Sequence, residues 1–236
     1  IFVNFNSQTD LAVELYRSHF EGNTASLHGG AFAVNVAAAD VSHKFYFSGS
    51  SFFGNSAQGN GGALDMNLPS RSAFRMANST VANNTAGGRG DGIDLGDVAG
   101  SVFIMNSTFV GQESGVDLGN VDTTDIDISL SNSVYLGISS SGTCASGTGR
   151  FKRSEYNVFA ATKDASCIAT TETSNNTHDL AELQALLGTT APAAAAGQSE
   201  EFAPGHFPID PEDANADYLM DQGNGTPDKL EMAFSR

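Results

Sequence analysis

Between residues 45 and 130, short stretches alternate apolar and polar side chains with a period of two. Phe45 and Phe47 flank Tyr46, Phe74 and Met76 flank Arg75, Val102 and Ile104 flank Phe103, and Ile128 and Leu130 flank Ser129. This alternation predicts strands that bury one side. Each of these strands is followed by a serine motif. The run Ser18-His19-Phe20-Glu21-Gly22-Asn23 recurs at 50–55, 79–84 and 107–112, and one residue shorter at 133–137. The leading serines Ser18, Ser50, Ser79, Ser107 and Ser133 are 32, 29, 28 and 26 residues apart. A third block follows each of the first four motifs: Gly29-Gly30-Ala31-Phe32, Gly61-Gly62-Ala63-Leu64, Gly90-Asp91-Gly92-Ile93 and the degenerate Ser114-Gly115-Val116.

Each repeat therefore holds three short strands separated by turn residues. Such a unit cannot bury its own apolar side, and stacking successive units does so. Stacked units place parallel strands about 4.8 Å apart. The predicted fold is all-β: a single-stranded right-handed parallel β-helix, one unit per coil, with handedness taken from the general rule for parallel crossovers. Propeller blades run to about 40–50 residues, longer than these units, and leucine-rich repeats need a Leu/Asn ladder that is missing here. Phe20, Phe52, Val81 and Phe109 are expected to form one inward column, and Phe32, Leu64, Ile93 and Val116 another. Asn78, Asn106 and Asn132 share a turn position, with Gly49 one coil earlier, and are expected to form an internal ladder that satisfies backbone groups in the bends.

The coils are expected over 1–177 and a capping segment over 178–236. Residues 178–188 read as an amphipathic helix closed by Gly188, and 228–234 as a second short helix behind Pro227. A cap is expected because an open coil is a sheet edge. At the other end Ile1 opens directly on strand-like residues, as a mature form or a fragment would. That coil is expected to stack on upstream residues or on another copy, which would make a homo-oligomer or filament.

Charge narrows the partners. Eleven Lys and Arg stand against twenty-seven Asp and Glu, a net charge of −16. Nucleic acids and anionic membranes are bound through Lys and Arg, so neither is an expected partner. No run approaches the roughly 18 apolar residues of a membrane helix, so no membrane insertion of this segment is expected. Cys144 and Cys167 bracket 22 residues rich in Gly and Ser, without zinc-type spacing. They are read as one disulfide, worth roughly 3 kcal/mol in an oxidising compartment, or else as two unpaired thiols.

Phe20–Asn23 with Gly29–Phe32, and Phe52–Asn55 with Gly61–Leu64, resemble the repeat of the polymorphic outer-membrane proteins. The Asn-Ser-Thr-apolar runs at 78–81 and 106–109 are similar to those of bacterial right-handed parallel β-helix proteins of the pectate-lyase-like superfamily. Cys144…Ser154-Glu155-Tyr156-Asn157-Val158…Cys167 resembles the last coil of the choice-of-anchor Q group, with Glu155 where that motif carries Gly. The resemblance covers about residues 11–180 and implies export and a bacterial cell surface.

No catalytic residue is assigned. Arg150-Phe151-Lys152 matches one element of polygalacturonase-type sites in isolation, and His28-Gly29-Gly30 is a repeat turn. His19, His28, His43, His178 and His206 lack metal-ligand spacing. Asp65, Asp94 and Asp117 share one frame position and are expected to face outward as a stacked ladder. Like charges so stacked need an offset: hydration, a basic partner or a cation. Calcium suits such hard oxygens. Asp213, Asn215, Asp217 and Asp221 form a second candidate, a degenerate calcium loop with Tyr218 at the glycine position. No cofactor is required. The expected function is an extracellular structural or adhesive module, able to self-assemble and to meet a polysaccharide or a cell-surface ligand. The alternative is a carbohydrate-binding or polysaccharide-degrading β-helix enzyme.

Overall fold

The structure is a computed structural model. It describes residues 1–5, 10–36, 42–69, 71–95, 98–110, 116–117, 128–131, 133–136, 153–155, 158–160, 171–173 and 176–178. For 2–5, 36, 117 and the strands after 116 (Ser133 excepted), the backbone alone is described.

Every described element is a strand, and every strand pairing is parallel. Four sheets run along the stack. The first takes Phe2–Phe5, Phe32–Val36, Leu64–Asn67, Ile93–Asp94 and Val116–Asp117 in that order. The second takes Leu11–Tyr16, His43–Ser48, Ala73–Ala77, Ser101–Met105, Ile128–Ser131, Arg153–Glu155 and Thr171–Thr173. The third takes His19–Glu21, Ser51–Phe53, Thr80–Ala82, Thr108–Val110, Val134–Leu136, Val158–Ala160 and Asn176–His178. Successive members of each sheet come from successive repeats, so the chain winds as a parallel β-solenoid.

Two features differ from expectation. Each of the first three repeats carries a fourth strand, at Thr24–Ala25, Ser56–Ala57 and Thr85–Ala86. Two residues are too few to show a period, so no alternation signals them. Strands also run to the end of the stretch 1–177 expected to form coils, and one residue beyond it. Thr171–Thr173 pairs with Arg153–Glu155, and Asn176–His178 pairs with Val158–Ala160. His178, placed at the start of a cap helix, ends a strand instead. A short polar strand such as Asn176–His178 has no apolar side to betray it, and its partner strand supplies the reason it is extended.

The interior is built from columns in register. Phe20 lies over Phe52, Phe52 over Val81 and Val81 over Phe109. Phe32, Leu64, Ile93 and Val116 stack likewise. All eight belong to the core, with Phe20 partly buried at its margin. The Phe20 and Phe52 rings lie parallel with centroids 5.0 Å apart. Phe47 joins the columns, meeting Phe32 edge-on at 5.2 Å and Phe74 edge-on at 5.4 Å. Offset and edge-on pairs of this kind contribute beyond the area they bury.

Corners turn through left-handed backbone. After the second sheet these positions are Arg17, Gly49, Asn78 and Asn106, with φ of 48°, 60°, 50° and 48°. The asparagine column seen in the sequence is thus a set of left-handed corners, which Asn tolerates better than most residues. Asn78 and Asn106 are half-buried and do not form the internal ladder; Asn132 lies outside the described residues. The inner ladders use other residues. Asn55 Oδ1 accepts from the Asn23 backbone N–H (3.1 Å) and side-chain amide (2.8 Å). Asn84 Oδ1 accepts from the same two groups of Asn55, at 2.9 and 3.0 Å. The Asn55 and Asn84 amides donate to the Phe20 and Phe52 carbonyls, each at 3.0 Å. A serine ladder runs beside it: the N–H groups of Ser18, Ser50, Ser79 and Ser107 donate to the hydroxyls of Ser50, Ser79, Ser107 and Ser133. At Gly62 a methyl would overlap the Asp91 carbonyl of the next coil, which explains the second glycine of the Gly-Gly-Ala block.

Candidate functional site

The aspartate column was the leading sequence candidate. Register confirms the stack: Asp94 lies opposite Asp65 on one side and Asp117 on the other. Its exposure does not match. Asp94 is 1% exposed and pairs with the Arg89 guanidinium at 3.3 Å, while Asp65 is half-buried. The offset for like charge therefore includes a basic group of the chain itself, which the sequence did not reveal because Arg89 belongs to the preceding turn. Among the described residues, no group of three His, Cys, Asp or Glu side chains is placed to hold a metal ion. The Asp117 side chain, and Asp213, Asn215, Asp217, Asp221, Cys144 and Cys167, lie outside the described residues.

Other candidates are absorbed by the scaffold. Arg89-Gly90-Asp91 spells an integrin-type tripeptide, yet Asp91 Oδ1 accepts from the Ala86 N–H at 2.6 Å and Arg89 engages Asp94. His28 Nδ1 accepts from the Asn60 N–H at 2.9 Å, as a turn residue would. His19 links Ser51 through Nδ1 and Glu21 through Nε2, the latter at 3.1 Å. Serine, imidazole and carboxylate are the residue types of a nucleophilic relay. Ser51, however, exposes none of its surface, so its hydroxyl cannot meet a substrate in this conformation. The trio acts as a clasp between two coils.

The outer face of the second sheet is different in character. Alternation turns Phe45, Phe47, Phe74, Met76, Val102 and Ile104 inward, and all six are buried. The residues between them face out. Glu14, Tyr46, Arg75 and Phe103 occupy one register column. The Arg75 guanidinium carbon lies 5.7 Å from the Tyr46 ring centroid and 5.3 Å from that of Phe103, within cation–π range of both rings. Lys44 lies opposite Ala73, two residues before Arg75, and is therefore its diagonal neighbour. Tyr16 and Met105 are exposed at the far end of the strands. The Glu14 carboxylate holds the Tyr16 phenol above its ordinary pKa. Tyr46, Arg75 and Phe103 are the middle residues of three of the triplets whose alternation predicts the strands, so the column is present in the sequence pattern.

Charge on this face departs from that of the whole chain. Arg17, Lys44, Arg71, Arg75 and Arg89 are the described basic side chains. The first four lie on the second sheet or at its ends, and only Arg89 lies elsewhere. The fold and this face define a parallel β-solenoid with a filled interior and side-chain ladders on its outside. No protein-family model, no curated protein and no solved structure matches the chain.

Proposed function

We infer that the chain is an extracellular or cell-surface module with a structural and adhesive role. The observation that carries this reading is the division of labour between inside and outside. The interior is occupied by apolar columns and by amide and hydroxyl ladders. Among the described residues, the relay-type trio Ser51, His19 and Glu21 is spent on clasping coils. What the described residues offer to a partner is an outer face with side chains repeated at the strand spacing. Solenoids of this kind provide extended binding surfaces, and their terminal coils can add further strands from the same chain or from another copy.

The test compares adhesion with turnover. Immobilised chain should retain bacterial or host cells, or their isolated surface polysaccharides, and should leave those polysaccharides at their original length. Release of new reducing or unsaturated ends by the chain would instead establish a polysaccharide-degrading enzyme and overturn the structural reading.

A further inference from the structure

We propose that the outer face of the second sheet binds a sulfated polysaccharide, with the guanidinium of Arg75, held between the rings of Tyr46 and Phe103, as its anion-recognition centre. The proposal rests on the adhesive reading above and names the ligand of that surface.

The guanidinium is pre-organised. Aromatic neighbours one coil away on each side, at 5.7 and 5.3 Å, restrict the plane of Arg75 while leaving the residue exposed. Among the described residues no carboxylate lies within ion-pairing distance of Arg75 or Lys44. On a chain with sixteen more acidic than basic residues, a cation without a carboxylate is one whose N–H donors are available to something else. A planar fork of donors matches two oxygens of an oxyanion, and the entropy cost of ordering the side chain has already been met by the rings. Lys44 adds a second positive charge on the diagonal.

A polymer fits better than a small anion. The same column continues from Phe103 to Ser129 and Arg153. Tyr46, Arg75 and Phe103 occupy three successive strands, about 10 Å at the usual strand spacing, with Lys44 on the diagonal, a span longer than one small oxyanion. A peptide is disfavoured, because its main mode on sheets is to add a strand at an edge, and on this face the backbone groups are already spent within the sheet. Nucleic acid is the competing polyanion and meets the same repulsion from the −16 charge of the chain, so a DNA duplex that bound as tightly as dextran sulfate would overturn the choice of a sulfated polysaccharide. Sulfate esters are preferred to carboxylates because guanidinium is weakly hydrated and pairs best with an anion that also sheds water readily.

The experiment measures binding of the full chain to dextran sulfate, carboxymethyl dextran of equal substitution and unmodified dextran at one ionic strength. Dextran sulfate should bind tightest, carboxymethyl dextran more weakly, and dextran not at all. Arg75→Lys keeps the charge and loses the planar fork, and should weaken dextran sulfate binding about tenfold. Tyr46→Ala keeps every charge and should weaken it similarly, while Glu14→Gln removes a like charge from the column and should strengthen it. Thermal melts of each variant show that the fold is retained. Undiminished binding by Arg75→Lys and Tyr46→Ala would overturn the proposal, since a diffuse charge effect would then suffice. Equal or tighter binding to carboxymethyl dextran would overturn the choice of sulfate. Failure to bind dextran sulfate, with cell adhesion intact, would remove the ligand and leave the adhesive reading standing; cleavage of any polymer would remove that reading as well.

Discussion

Phe52 shows how much a single position carries. It is fully buried, stacks flat on Phe20 and meets the tilted ring of Phe47 at 5.9 Å. Coils above and below hold their own register, so the surroundings can collapse only partly into a void at this site. Phe52→Ala should therefore cost about 3–5 kcal/mol, the range for a large aromatic truncated in a packed core. Urea unfolding should show a lower midpoint with an unchanged slope. A loss below about 1 kcal/mol would mean that the ring is not enclosed. The sequence indicated this position because Phe20, Phe52, Val81 and Phe109 repeat at one place in the serine motif. It did not indicate which rings stack and which meet edge-on, since rotamers are settled by neighbours from other coils.

At the scale of elements, strands are held sideways by partners and at the corners by ladders. Asn55 is the central rung of the amide ladder and serves four groups. Its Oδ1 takes the Asn23 N–H and amide, and its amide donates to the Phe20 carbonyl and Asn84 Oδ1. Asn55→Ala removes a partner from the part-buried Asn23 N–H and Phe20 carbonyl, while Asn84 Oδ1 keeps the Asn55 backbone N–H; a buried group left unpaired costs about 1–3 kcal/mol. The expected loss is about 1–3 kcal/mol, greater than for removal of a solvent-facing asparagine such as Asn35. Amide exchange of the Asn23 N–H should accelerate in the same variant, and continued protection there would show that water or another group replaces the rung. The ladder was misplaced from sequence alone. Asn78 and Asn106 repeat as regularly as Asn55 and Asn84 do, and periodicity says nothing about which repeated asparagine points inward. The left-handed φ at Asn78 and Asn106 and the extended strands between the corners make that choice.

For the whole molecule, charge is the term that acts at every coil. A net charge of −16 opposes compaction through self-repulsion, and the second sheet gathers most of the described cations on one side. Raising NaCl from about 10 mM to about 150 mM shortens the screening length from about 30 Å to about 8 Å. The melting temperature should rise over this range. A flat or falling response would show that pairs such as Arg89 with Asp94 already compensate the acidic excess locally.

The sequence by itself determined that the chain repeats, that its strands alternate inward and outward, and which apolar residues share a column. These follow from local rules: a period of two within a strand, a glycine or asparagine at a turn, and a unit too short to bury its own side. The fourth strands, the inner course of the asparagine and serine ladders, the burial of Asp94 against Arg89 and the placing of Arg75 between two rings were decided only by the tertiary structure. Each joins residues from different coils or turns, and stacking brings those groups to within a few ångströms, where packing and charge can act.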